Sequence, residues 1–127
     1  MSNLSKRSPA RPAAILAVLG GLLQILGFAA GVVGAQAGAV DFGDFNPVLV
    51  VVLGISGAGA IAAAYYAVRG YRIAWGFSVS LHGTLFVVFL FATPTIQGIG
   101  VPTALAFAPT LLTGAITTLF AMAGRDY

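Results

Sequence analysis

The chain has 127 residues, of which 59% are hydrophobic and only 7% are charged, and its mean hydropathy is +1.00. A soluble domain carries roughly 25% charged residues, so this composition cannot cover a water-facing surface. The six basic and three acidic residues are too few and too dispersed for a nucleic-acid patch, and the lack of cysteine excludes disulfides and thiolate metal sites. The sequence therefore predicts an all-α integral membrane protein, with the lipid bilayer as its first partner and no nucleic-acid partner.

Residues 1–12 are predicted to form a flexible, basic cytoplasmic tail. They contain three basic side chains, and the pairs Ser8-Pro9 and Arg11-Pro12 are expected to break a helix. The uncharged stretch 13–34 follows. At ~1.5 Å per residue this stretch is long enough to cross the ~30 Å hydrocarbon core.

A cleaved signal peptide is the alternative interpretation of this first stretch, with Ala35-Gln36-Ala37 as a cleavage site of small residues. The apolar run is longer than the roughly 7–15 residues of a typical signal-peptide core. The sequence therefore favours an uncleaved first helix.

Three more uncharged stretches complete a predicted bundle of four transmembrane helices within residues 13–127. The predicted spans cover residues 13–34, 47–68, 73–93 and 102–123. A polar loop over 38–46, the short turn 69–72 and a glycine-rich loop over 94–101 separate them. Pro109 lies inside the fourth span and is expected to kink it or loosen its first turns.

All six basic residues fall on one side of this topology: Lys6, Arg7, Arg11, Arg69, Arg72 and Arg125. Asp41 and Asp44 fall on the other side. Basic residues accumulate on the cytoplasmic side of membrane proteins. We therefore expect a multi-pass protein of the cell or envelope membrane with both termini in the cytoplasm.

The two halves of the chain match weakly. Gly59-Ala60-Ile61 and Gly114-Ala115-Ile116 each lie twelve residues after a proline, at an offset of 55, and the odd-numbered spans match at an offset of 56. One interpretation is a duplicated helical hairpin, with both copies in parallel orientation, which is one way to build a transporter. The other is a chance match between apolar stretches rich in glycine and alanine.

A polar layer is predicted near the bilayer midplane. His82 lies ten residues past Arg72, which is ~15 Å along a helix. Counting from the cytoplasmic ends gives a layer with these members: Gln24, Ser56, Ser78, His82 and Thr113. His82 could serve a proton relay, a ligand or a cofactor, or it could be a neutral imidazole that bonds a neighbouring helix.

The predicted spans contain no Asp, Glu, Lys or Arg. A proton- or sodium-coupled pump normally needs a carboxylate within the membrane. The sequence also has no nucleophile–base set and no metal-ligand spacing. We therefore predict no enzyme activity and no cofactor.

Small residues at intervals of four predict close helix packing. The candidates are Gly27, Gly31, Gly34, Gly38, Gly59, Gly76, Ser80, Thr110, Gly114 and Thr118. These faces exceed what one compact bundle needs, so some are expected to meet another membrane protein or a second copy of the chain.

Three functional hypotheses follow. The first is a non-catalytic accessory or structural subunit that packs against other membrane proteins. The second is a small homodimeric transporter or channel that uses the polar layer around His82. The third is a membrane subunit that binds a quinone or another cofactor through His82.

Overall fold

A computed structural model describes residues 4–36, 38, 47–98 and 100–127. Its elements are α1 (Ala10–Gln36), α2 (Pro47–Val68), α3 (Arg72–Gly98), α4 (Thr103–Met122) and a 3-10 turn (Ala123–Asp126). The described ranges contain no strand, and each of their four long helices is long and apolar enough to cross a membrane. The predicted all-α class and the number of spans are confirmed.

The helices form a ring in chain order. α1 packs mainly along α2 and α3 along α4, while smaller contacts between α2 and α3 and between α1 and α4 close the ring. The first described residues, the α2–α3 turn and the last residues therefore meet at one end. We call this the basic end, because it carries all six Lys and Arg residues. Asp41 and Asp44 lie outside the described residues.

The tightest packing lies in the half of the bundle next to the basic end. Most of its buried side chains are alanines, and three larger apolar residues join them. The cluster consists of Leu4, Ala10, Ala13, Ala14, Ala17, Ala64, Ala67, Ile116, Phe120 and Ala123. Small side chains let helix backbones approach closely, so this half of the bundle is filled. We call this cluster the alanine core.

Residues 4–9 pack against the bundle, whereas the sequence predicted a flexible tail over residues 1–12. Leu4 is only 7% exposed, and the Arg11 guanidinium donates a hydrogen bond to its carbonyl at 2.9 Å. The Ser8 hydroxyl accepts a bond from the backbone N–H of Ala10 and donates to Asp126 Oδ2 at 2.6 Å. Pro12 does not break α1, because the first turn of a helix has no internal partners for its N–H groups.

The turn between α2 and α3 is fixed by a glycine. Gly70 has φ of 92°, a conformation that other residues rarely adopt. Its N–H donates to the Ala67 carbonyl, and the N–H of Tyr71 donates to the Tyr66 carbonyl. These two bonds form a Schellman motif, which ends α2 and satisfies two of its last carbonyls.

At the end of the bundle opposite the basic end, α3 is longer than the sequence predicted. α3 continues through Pro94 to Gly98, so the loop expected over 94–101 is shorter. Pro94 removes one backbone bond, and the hydroxyl of Thr93 donates to the Phe89 carbonyl beside it. α3 therefore tolerates the loss of this one bond and remains helical for another turn.

The closest approach between helices joins α1 and α2 at a pair of glycines. A Cβ added to Gly57 would lie 2.7 Å from the Gly21 carbonyl oxygen, and a Cβ on Gly21 would lie 2.6 Å from that of Gly57. Neither position was among the predicted packing residues. Any side chain larger than hydrogen would push the two backbones apart.

The predicted packing residues divide into three groups. Thr110 and Gly114 do pack against α3: the Thr110 and Thr93 hydroxyls are 3.4 Å apart, and Gly114 faces Phe86. Gly59 has only a loose neighbour in Phe77, Gly31 and Gly34 are half-buried, and Thr118 is exposed with its hydroxyl bonded to its own helix.

A Cβ on Gly27, Gly38 or Gly76 would meet nothing within 4 Å in the described structure. Ser80, one turn after Gly76, is exposed. These positions therefore do not hold the described bundle together.

Candidate functional site

A cavity of about 590 Å³ lies near the middle of the bundle, next to the alanine core on the side away from the basic end. It is bounded by α1 and α4, and α3 forms its base. Its lining is Gly20, Gly21, Leu23, Gln24, Gly27, Leu53, His82, Leu85, Phe89, Leu105, Ala108, Pro109, Leu112, Thr113 and Ile116. Leu23 and Leu105, on the two walls, are each 63% exposed. The cavity therefore opens sideways, onto the apolar outer surface of the bundle.

Small residues on both walls create this space. Gly20 meets Leu112 at the lower edge, where an added Cβ would be 3.3 Å from its side chain. Two turns further along α1, Gly27 has no neighbour within 4 Å. α1 and α4 therefore touch near the alanine core and leave a gap above it.

His82 is the one ionisable residue in the lining. Its side chain is only 2% exposed, and its ring lies 6.2 Å from that of Phe120. Nδ1 is 2.8 Å from the carbonyl oxygen of Ser78, one turn earlier in α3. A carbonyl oxygen can only accept, so Nδ1 carries the hydrogen in this contact. In the neutral ring Nε2 then has a free lone pair.

Gln24 and Thr113 line the same cavity. The Thr113 hydroxyl donates to its own helix, with the carbonyl oxygens of Pro109 and Thr110 at 2.8 and 3.2 Å. The Gln24 side chain lies against Gly57, because a Cβ there would be 3.3 Å from Gln24 Oε1. Three members of the predicted layer thus share one site.

The other two predicted members lie outside this lining. The Ser56 hydroxyl donates to the Leu53 carbonyl at 3.0 Å. Ser78 is fully buried one turn closer to the basic end, and its hydroxyl has no hydrogen-bond partner among the described residues. Three of the five predicted layer residues therefore line one cavity, and Ser78 supplies the backbone acceptor for His82.

Sequence reasoning missed the apolar part of the site. Gly20, Gly21, Ala108 and Pro109 make the gap, yet in a sequence they resemble every other glycine, alanine or proline of an apolar helix. Pro109 inside the fourth span was the one visible signal of irregular packing there.

Within the described ranges, no group of three or more His, Cys, Asp or Glu residues is placed to hold a metal ion. The cavity lining contains no charged side chain. The site is suited to an uncharged, largely apolar molecule.

No family model, no curated protein and no solved structure matches the chain. The fold and composition define the class: a small membrane protein with four helices able to span a bilayer.

Proposed function

We propose that this protein is a non-catalytic membrane protein that binds a lipid-soluble molecule in the cavity between α1 and α4. The observation that carries the proposal is His82, a buried imidazole at the base of a largely apolar cavity that opens sideways. Ligand sites are typically apolar cavities of roughly 300–1,000 Å³ with a few polar groups that orient the ligand. This proposal raises the third sequence-based hypothesis above the other two.

The alanine core favours binding over transport. It fills the half of the bundle between the cavity and the basic end, and Ile116 and Phe120 in it are at most 1% exposed. A molecule that entered from the bilayer would therefore leave by the same side. The transport hypothesis would need a path through this packing.

We place the basic end on the cytoplasmic side, so that both termini lie in the cytoplasm. The support is the gathering of all six Lys and Arg residues at that end.

The hypothesis of a duplicated helical hairpin gains less support, because glycines at matching positions in the two halves of the chain have different surroundings. Gly20 meets Leu112, whereas its counterpart Gly76 has no neighbour within 4 Å.

The test of ligand binding uses two matched leucine substitutions. Gly27→Leu fills the cavity from its wall, and Gly76→Leu adds the same side chain at another open position outside the cavity. Lipid extract from the source membrane should raise the melting temperature of the wild type and of Gly76→Leu in detergent, but not that of Gly27→Leu. Equal shifts in all three proteins would refute binding in the cavity.

A role as an accessory subunit remains the second candidate, and one surface of α3 supports it. Gly76, Ser80 and Thr84, which we call the α3 stripe, follow one another at intervals of four. Ser80 and Thr84 are exposed, and the Thr84 hydroxyl bonds within its own helix. Small and weakly polar faces of this kind are typical of contacts between membrane helices.

The same two variants test this second role in reverse. Cross-linking in native membranes should give a product, with another protein or with a second copy, for the wild type and for Gly27→Leu. Gly76→Leu should lose that product, because leucine would separate the two backbones. A chain that stays monomeric in all three forms would rule out the accessory role.

A further inference from the structure

We propose that the cavity selects an uncharged amphiphile whose polar head donates a hydrogen bond, an alcohol or a phenol, with His82 Nε2 as the acceptor. This inference rests on the proposed function, because it names the class of molecule that the same cavity binds.

The first step is the hydrogen position on the imidazole. Nδ1 lies 2.8 Å from the Ser78 carbonyl oxygen, which can only accept. The cavity lining offers no carboxylate to pair with a charged imidazolium, and an unpaired buried charge is costly. The neutral ring therefore keeps its hydrogen on Nδ1, and Nε2 can only accept.

Thr113, like His82, presents a hydrogen-bond acceptor to the cavity. Its hydroxyl hydrogen is directed at backbone carbonyls of α4, at 2.8 and 3.2 Å, so its oxygen is left with lone pairs only. Gln24 is the one lining side chain whose amide can donate. His82 and Thr113, two of the three polar side chains in the lining, thus each need a hydrogen-bond donor from the ligand.

A charged head group does not fit this site. No Lys, Arg, Asp or Glu lines the cavity, and His82 lies ten residues, or ~15 Å of helix, from Arg72 at the basic end. An ion at that depth would be unpaired in hydrocarbon. A ketone or an ether fits less well than a hydroxyl, because it would set a second acceptor against Nε2.

The experiment exploits the fact that His82 is the only histidine in the chain. Labelling with ¹⁵N-histidine gives one pair of ring signals, which report directly which nitrogen carries hydrogen. The probes are 4-decylphenol, its methyl ether 4-decylanisole, and 1-dodecanol, each added to the protein in detergent. Phenol and ether differ only in the donor hydrogen and its methyl replacement.

We expect hydrogen on Nδ1 and a lone pair on Nε2 before any probe is added. 4-Decylphenol should shift the Nε2 signal and bind roughly three- to tenfold tighter than the ether, the range that one net hydrogen bond supplies. A similar response to 1-dodecanol would extend the preference to aliphatic alcohols. A response to the phenol alone would restrict it to phenols.

His82→Phe keeps an aromatic ring and removes the acceptor. In this variant the phenol and the ether should bind equally, whereas Gly27→Leu should lose both. Hydrogen on Nε2 in the wild type, or equal affinities for phenol and ether, would overturn this inference but leave cavity binding intact. If neither probe binds the wild type, the proposed function itself fails. The NMR result on the wild type decides the matter even if His82→Phe does not fold.

Discussion

At the scale of single residues, the absence of a side chain matters as much as its presence. Gly21 and Gly57 bring α1 and α2 into backbone contact, whereas Gly27 borders an open cavity. The helices are apolar around their whole circumference, so no polar face marks which glycine meets a neighbour. This is why the spacing of glycines pointed to Gly27 and missed the pair that makes the contact.

The glycine contact predicts that the same substitution, glycine to alanine, is costly at Gly57 and nearly neutral at Gly27. Gly57→Ala would place a Cβ 2.7 Å from the Gly21 carbonyl oxygen and should lower the free energy of unfolding by roughly 1–3 kcal/mol. Gly27→Ala, which adds the same methyl group in open space, should change it by less than about 0.5 kcal/mol. Unfolding in mixed micelles measures both. Similar losses of unfolding free energy in the two variants would contradict the close approach of Gly21 and Gly57.

Tyr127 has an unusual titration. Its Oη donates to the Ala67 carbonyl at 2.7 Å, and its ring stacks on Trp75. Burial, and secondly the neighbouring charge of Asp126, raise the pKa of Tyr127 to about 12. Because the raised pKa belongs to the folded state, its contribution to stability is complete below pH 10 and declines as the pH rises toward 12.

Absorbance at 295 nm tests this pKa. One of the four tyrosines should ionise near pH 12 in the folded protein, and Tyr127→Phe should remove that step. Tyr71→Phe serves as the control and should leave the step in place. Persistence of the step in Tyr127→Phe would assign it to another residue.

At the scale of elements, the four spans were predictable because an apolar run of the right length has few alternatives. The residues at which the helices begin and end were not predictable. α1 begins earlier than expected because Ser8 and Arg11 bond the backbone and side chains around them, and α3 runs past Pro94. The Ser8–Asp126 bond joins residues 118 apart in the chain, and no local pattern encodes such a contact.

This bond predicts how well the first residues are held. Asp126→Ala removes the acceptor for Ser8 and should speed tryptic cleavage after Arg7 severalfold, because residues 4–9 would lose a charge-assisted contact. Arg125→Ala, at the adjacent exposed position, should leave the rate unchanged. If both variants are cut as slowly as the wild type, other contacts hold the segment.

At the scale of the whole molecule, the bundle has two unlike halves. The alanine core fills the half at the basic end, and the cavity begins beside Ile116 of that core and extends away from the basic end. The sequence predicted that His82, Gln24 and Thr113 share a depth, since depth follows from residue counting. It could not predict which of them line a common space, because that depends on how far apart α1 and α4 stand.

The proposed orientation makes a direct prediction, and the lack of native cysteine makes it simple to check. A single cysteine introduced at Ser5 or at Arg72 should be shielded from a membrane-impermeant maleimide in intact cells. One at Asp41 should react. Labelling at Ser5 or Arg72 in sealed cells would reverse the topology.

Native mass spectrometry of protein released from its own membrane tests the central claim most directly. We predict that the wild type and Gly76→Leu retain an uncharged, lipid-soluble molecule, whereas Gly27→Leu, whose new side chain occupies the cavity, is released without it. A wild type that carries no such molecule, or a Gly27→Leu variant that carries the same one, would contradict a ligand site between α1 and α4.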